Sequence, residues 1–238
     1  MSVIRSVAVW VLWVPITVFA TLLIALVWPF DRQCTLMHNI CVLWARLVVA
    51  VSGVKVRVTG LQNVPRGQPV LFLSNHQGAF DIPALQSVLP VQFRWVAKKS
   101  LFKVPFVGWS MRLAGYIAID RENPAEAVKS MEEAAEKMSR GSSVVIFPEG
   151  TRSETGALLP FKRGAFMLAR KSGRPIVPVA ISGTSGILKK GGFIVNPVRV
   201  TIAIGSPIPI GSSDEKELRN MTKRQVEAML KGAAGELV

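Results

Sequence analysis

Two short segments carry side chains whose types and spacing suit proton transfer beside a bound anion. The first, Asn75-His76-Gln77-Gly78-Ala79-Phe80-Asp81, holds one of the chain's two histidines, with a carboxylate five residues on. The second, Phe147-Pro148-Glu149-Gly150-Thr151-Arg152-Ser153, sets a carboxylate and an arginine on a Gly-containing turn behind an apolar run. Residues five apart do not face each other on a regular helix. His76 and Asp81 meet if His76 lies in a loop and Asp81 opens a helix, which Ile82-Pro83 favours because proline is tolerated in a first turn. Asp81 would then accept the imidazole N–H, fix the tautomer and stabilise the imidazolium that forms when the other nitrogen takes a proton. No serine or cysteine has the context of a nucleophile, so this base would act on a substrate hydroxyl directly. In the second segment, backbone N–H groups, the Thr151 hydroxyl and the Arg152 guanidinium suit a phosphate. Glu149 would shape that pocket or pair with Arg152. Each segment alone also has a plainer reading: Asp81 as a helix cap beside a surface histidine, and Glu-Gly-Thr-Arg as an ordinary turn.

Elements that place both segments at one edge are legible around them. Val54–Thr59 alternates apolar and polar residues, as a half-exposed strand does, whereas Val70–Leu73 is a continuous apolar run suited to a central strand ending at Ser74-Asn75-His76. Further strands are expected at Phe93–Ala97, Tyr116–Ile119, Val144–Phe147, Ile176–Ile181 and Val198–Ile204. Helices are expected at Ile82–Val88, Pro124–Ser139, Gly164–Ser172 and Asp214–Leu230, with Pro124 near a helix start and Gly141 just beyond its end. Strands alternating with helices predict an α/β domain over residues 53–238, its mostly parallel sheet flanked by helices. Chemistry in such sheets collects at the carboxyl ends of strands, where both segments begin. Gly183–Gly192, rich in Gly and Lys, reads as a mobile surface loop.

Residues 1–52 have a different character. No charge occurs from Val7 to Trp28, a stretch of 22 residues that spans roughly 33 Å as a helix, enough for a bilayer core. It exceeds the apolar core of a secretory signal, and no small-x-small cleavage site follows before Asp31, so a retained anchor is expected. After the Trp28-Pro29-Phe30-Asp31 break, residues 35–52 form a second apolar helix with Leu36, Ile40, Leu43, Leu47 and Ala50 on one face. The pair is either a hairpin dipping into one leaflet or a spanning helix followed by an interfacial one. Cys34, His38 and Cys41 share one helical face, but a single face rarely completes a tetrahedral metal site and no fourth ligand is evident. They are expected to be buried or lipid-facing, and no metal is implied.

Formal net charge is +14, and residues 152–190 concentrate it. Arg152, Lys162, Arg163, Arg170, Lys171, Arg174, Lys189 and Lys190 stand there against one acid, Glu154. Such a face suits an anionic membrane surface or an acidic carrier protein. Nucleic acid fits poorly, because no nucleic-acid motif is recognisable and the anchor would hold the chain at a membrane. The positive-inside tendency puts the basic domain on the cytoplasmic side, with the cell inner membrane the expected location.

Asn75-His76-x4-Asp81 followed by Phe147–Ser153 resembles the glycerolipid HxxxxD acyltransferase family. Gly115-Tyr116-Ile117-Ala118-Ile119-Asp120-Arg121 is similar to that family's second motif, and Val177-Pro178-Val179-Ala180-Ile181 to its fourth. The four lie in order within residues 70–185. The compact length and the Ile119-Asp120-Arg121 form most resemble the 1-acylglycerol-3-phosphate acyltransferases. The resemblance implies His76 as general base for the sn-2 hydroxyl and Asp81 as its orienting partner. It implies that Arg121, Arg152 and Lys98 (or its neighbour Lys99) hold the substrate phosphate, that Glu149, Gly150 and Thr151 shape that pocket, and that Pro178 lies on the acyl-donor side. Gly78 and Ala79 would leave room near the base, and Tyr116 occupies a variable position of the second motif. The implied partners are lysophosphatidic acid and an acyl thioester, of acyl-carrier protein or coenzyme A, as co-substrate; no further cofactor is implied. Rival readings are the same chemistry on glycerol 3-phosphate or another lysophospholipid, and a non-catalytic module binding anionic membranes.

Overall fold

The structure is a computed structural model that describes residues 2–153, 155–189 and 191–235. Glu154 and Lys190, counted above in the basic stretch, lie outside the described residues. Seven strands form one sheet: β1 (Lys55–Thr59), β2 (Leu71–Ser74), β3 (Phe93–Lys98), β4 (Ile117–Ile119), β5 (Ser143–Ile146), β6 (Ile176–Ser182) and β7 (Arg199–Ile204). Their order is β1-β7-β6-β2-β5-β3-β4. All neighbouring pairs are parallel except β6 and β7, so the sheet is mostly parallel, as the alternation of strands and helices predicts.

The central strands β2 and β5 are buried along their whole length because helices cover both faces. Val70 and Phe72 enter one core while Leu71 and Leu73 enter the other, the period-two consequence of a pleated strand. The second core is closed by α5 (Pro124–Ser139), α6 (Gly164–Ser172) and α7 (Glu215–Gly235), through Met131, Met138, Phe166, Leu168, Leu218 and Val226. The first is closed by α3 (Asp81–Val88) and, outside it, by the N-terminal helices α1 (Ser2–Val27) and α2 (Thr35–Val51). Asn123 caps α5 by accepting from the N–H groups of Ala125 and Glu126, with Pro124 in the first turn.

Helix α1 is long and apolar enough over Val3–Val27 to cross a membrane, and Pro15 lies within it. The chain then turns at Trp28–Asp31. Asp31 caps α2 by accepting from the backbone of Thr35 (3.0 Å) and Met37 (2.8 Å). Met37, His38, Cys41, Ala45 and Val48 form the buried face of α2, while Leu36, Leu43 and Leu47 point outward. The apolar stripe noticed in the sequence is therefore the outward one. His38 and Cys41 are buried and Cys34 is half-buried; His38 meets the edge of Phe93 at 5.0 Å. Residues 1–52 also touch the rest of the chain directly. Arg5 donates to the Val195 carbonyl, Trp10 Nε1 donates to the Phe193 carbonyl at 2.8 Å, and Val9 and Val48 are buried in the first core.

Two expectations are corrected. The sequence reading has no helix between β3 and β4, where the chain forms a 3-10 turn at Lys99–Lys103 and α4 (Val107–Leu113). Helix α4 is seven residues long and most of its apolar side chains are not buried, so it lacks the periodic buried face that reveals a helix in sequence. The loop expected to be mobile from Gly183 is packed in its first half: Thr184 and Ile187 are fully buried.

Candidate active site

The chain leaves β2 through Asn75, whose side-chain amide both donates to the Ile181 carbonyl (2.9 Å) and accepts from the Ile181 N–H (2.7 Å). This two-way clamp fastens the loop to β6 immediately before His76. Asp81 opens α3, as Pro83 suggested, and its carboxylate is fully buried. Asp81 Oδ2 lies 2.6 Å from His76 Nδ1 and accepts from the backbone N–H of Gln77 (2.7 Å) and Gly78 (3.0 Å). Asp81 Oδ1 accepts from the Thr184 hydroxyl. A carboxylate so surrounded by donors is an acceptor, so Nδ1 carries the proton and Nε2 is left with its lone pair. The imidazole stacks on Phe147 at 4.0 Å and 8°, and Phe147 in turn lies 5.5 Å from Trp95. Ring orientation is thus fixed both in plane and out of plane.

Of the two parts open to Glu149, pairing with Arg152 is not the one it takes. Its Oε1 accepts from the His76 N–H (2.7 Å) and its Oε2 from the Leu159 N–H (2.9 Å), and only 2% of the residue is exposed. Both oxygens serve backbone, so Glu149 does not pair with Arg152, and it is not among the residues that line the cleft. It staples the two motifs together instead. Burial pushes its carboxyl pKa upward, partly offset by those two backbone donors. A return bond from the Ser153 N–H to the His76 carbonyl (2.8 Å) completes the staple.

His76 opens on a cleft of about 750 Å³ lined by Gly78, Ala79, Lys98, Arg121, Thr151, Arg152 and Lys189, with Ile82, Leu101 and Leu188 as apolar wall. Arg121, just past β4, donates to the Gly150 carbonyl. Burial, and then the neighbouring Arg152 charge, lower the Arg121 pKa. Two guanidiniums held side by side raise the potential of the site and are relieved by an anion between them. Gly150 has a φ of +71°, in the left-handed region that favours glycine. Lys98 lines the cleft and reaches Glu122 at 3.5 Å, whereas Lys99 turns to Asp120 at 3.5 Å and is not among the lining residues.

Pro178 does not line the cleft. It is buried in mid-β6, opposite Leu73, and its carbonyl accepts from the Gly205 N–H. Its missing N–H falls where β6 is between the partners Ile204 and Ile208, a gap in the ladder where proline is tolerated. The basic stretch 152–190 also divides. Arg152 and Lys189 face the cleft, while Arg163 pairs with Glu215 and Lys171 with Glu132 on the exposed side of α6. Thr184 and Trp95 are site-building residues that the sequence did not single out, and Phe147 is one that it named in the second segment without a role. The only local signal for Thr184 is its place just beyond the end of a buried strand, at the sheet edge that already holds His76.

The acyltransferase family model matches residues 55–182, more than half of the chain. A chloroplastic 1-acyl-sn-glycerol-3-phosphate acyltransferase of Brassica napus is 37% identical over 182 residues, covering 75% of this chain and 52% of its own length. The 1-acyl-sn-glycerol-3-phosphate acyltransferase of Saccharomyces cerevisiae is 38% identical over 159 residues, 66% of this chain and 52% of the relative. The chain thus spans about half the length of the curated relatives it matches. The crystal structure of the 1-acyl-sn-glycerophosphate acyltransferase from Thermotoga maritima superposes with a TM-score of 0.87 at 26% identity, covering 98% of this chain and 96% of that one. A buried histidine–aspartate pair at a sheet edge, facing paired arginines, sits inside the matched segment. The chain belongs to the acyltransferase family.

Proposed function

We propose that this protein transfers an acyl group from a thioester to the sn-2 hydroxyl of 1-acylglycerol 3-phosphate, forming phosphatidic acid. The observation that carries the reading is the 2.6 Å contact between His76 Nδ1 and a fully buried Asp81, made at the wall of a cleft with four cationic side chains (Lys98, Arg121, Arg152 and Lys189). Nε2 takes the hydroxyl proton as the oxygen attacks the thioester carbonyl. The tetrahedral intermediate collapses with loss of thiolate, which receives the proton back from the imidazolium. Asp81 stabilises the transient imidazolium and holds the ring. Arg121 and Arg152 grip the phosphate, with Lys98 at its margin, and so place the hydroxyl at a fixed distance from the base. The donor is a thioester of acyl-carrier protein or coenzyme A, and no metal or other cofactor takes part. The names of the relatives, each a 1-acylglycerol-3-phosphate acyltransferase, favour this acceptor over glycerol 3-phosphate.

Residues 1–52 would hold the protein at a bilayer and residues 53–238 would carry the chemistry, with the domain at the cytoplasmic face of a cell inner membrane. Keeping the acyl tails in lipid avoids a cost of about 0.8 kcal/mol for each CH₂ moved to water. The experiment is an assay of purified protein with lysophosphatidic acid, its dephosphorylated analogue and glycerol 3-phosphate, each with both thioesters. Phosphatidic acid formation only with the lysophosphatidate supports the reading. Turnover of glycerol 3-phosphate alone, or of none, overturns it.

A further inference from the structure

Between Lys98 and Ile119 the chain has four cations and no carboxylate. This stretch folds into the 3-10 turn at Lys99–Lys103 and α4, beside α1 and next to the cleft. Lys103, Val104, Val107, Trp109 and Arg112 all face outward. Val104, Val107 and Trp109 are 42%, 36% and 50% exposed, three apolar groups left in the open within six residues of chain. The presentation is rigid. A Cβ on Gly108 would lie 2.3 Å from the Phe102 carbonyl oxygen, so the helix crosses the turn at backbone contact. Phe106 takes a φ of 60°, rare for a bulky residue, and its ring lies 5.0 Å from Trp109.

We propose that Val104–Arg112 is a third membrane-contacting element, docking on an anionic phospholipid surface alongside the two N-terminal helices. Two observations name that occupant. The first is continuity: the Thr21 hydroxyl of α1 donates to the Phe106 carbonyl at 3.3 Å, and Ala114 packs with Ile24 and Met37. The exposed apolar side chains of α4 therefore stand beside α1, whose own outward face carries the exposed Phe19, Leu22 and Leu26. The second is composition, since a tryptophan flanked by Lys103 and Arg112 matches the headgroup level, where indole rings settle and basic groups meet anionic lipid. One turn back, Leu101 lines the cleft, so the same short segment runs from the cleft wall to the bilayer and sets the cleft mouth at the lipid surface.

The test reads position, not turnover, so its outcome is independent of the reaction proposed above. A nitroxide is placed at Val107→Cys in the full chain in a Cys34→Ser background, Cys41 being buried. The reference label is Met221→Cys on α7. In vesicles containing phosphatidylglycerol, collisions of the label at 107 with a water-soluble nickel complex should fall several-fold relative to the label at 221, while collisions with oxygen rise. The pair Lys103→Glu and Arg112→Glu should restore much of the nickel contact. Equal nickel collisions at 107 and 221 would overturn the proposal, and indifference to charge reversal would overturn its anionic part. Shielding in detergent that grows with protein concentration would assign the surface to a second copy instead.

Discussion

Four donors converge on the two oxygens of Asp81, and the identity of each sets what the histidine can do. Two are backbone groups of the intervening loop, one is the imidazole, and the fourth comes from Thr184, over a hundred residues away in sequence. His76→Ala is expected to lower kcat by roughly 10²–10⁴ with the fold intact, the usual contribution of a positioned base. Circular dichroism together with single-turnover kinetics checks both halves of that statement. Thr184→Val keeps the shape but leaves Asp81 Oδ1 without its hydroxyl, freeing the carboxylate to rotate away from Nδ1. Its kcat should fall by about tenfold to a hundredfold with KM nearly unchanged, and Thr184→Ser should restore most of it. A Thr184→Ser enzyme as slow as the valine variant would indicate packing by the methyl group and not the hydrogen bond. For the arginines, Arg152→Ala should weaken use of lysophosphatidic acid far more than use of its dephosphorylated analogue. Equal losses on both acceptors would remove phosphate as its ligand.

At the scale of elements, the site depends on how β2, β5 and β6 end together. The Asn75 amide ties the β2 exit to Ile181 of β6, and the Glu149 carboxylate ties it to the segment after β5. Glu149→Gln presents an amide NH₂ where a backbone N–H needs an acceptor, so one buried donor loses its partner. Stability should drop by about 1–3 kcal/mol, measured by chemical denaturation. The loss reaches activity too, because the His76 N–H is one of the two groups at risk. Gly78 provides a sharper local case. A Cβ there would stand 3.1 Å from the Thr184 carbonyl oxygen, so Gly78→Ala should push the Thr184 turn outward and mimic Thr184→Val in turnover. The strand and helix ends of this region were largely legible, since continuous apolar runs and a Pro83 just inside α3 leave few options. Helix α4 was not, because its exposed Val107 and Trp109 follow no buried period.

The whole molecule joins its apolar N-terminus to the domain more closely than a tethered anchor. Val9 and Val48 are buried in the first core, and Arg5, Ser6 and Trp10 bond the backbone of residues 193–195. That strip continues from the loop bearing Thr184 and Lys189. Deleting residues 1–52 should therefore lower thermal stability and expose a dye-binding apolar face, as well as weaken membrane binding. The remaining attraction to anionic vesicles should fade with salt, as screening shortens from about 10 Å at 0.1 M to about 3 Å at 1 M. The intact protein should stay on vesicles through a high-salt wash, because its outward surface on α1 and α2 is apolar. Sedimentation of both forms at low and high salt measures the two contributions, and release of the intact protein by salt alone would rule out apolar anchoring.

Sequence by itself determined the order of the seven strands and of every α-helix except α4, the mostly parallel sheet and the pairing of His76 with Asp81. Those follow from local rules: apolar period, turn residues, and a spacing that closes only at a helix start. Tertiary structure alone decided which charges serve the cleft. Glu149 and Arg152 are three residues apart, yet one is buried against backbone and the other faces open space. Pro178 stands in a strand beside the motif residues but fills a gap in the ladder, away from the cleft. Thr184 joins the site from the end of a different strand, across a separation no periodic pattern encodes. Burial, partner choice and the direction of a side chain depend on elements meeting across the sheet, and that meeting exists only once the chain has folded.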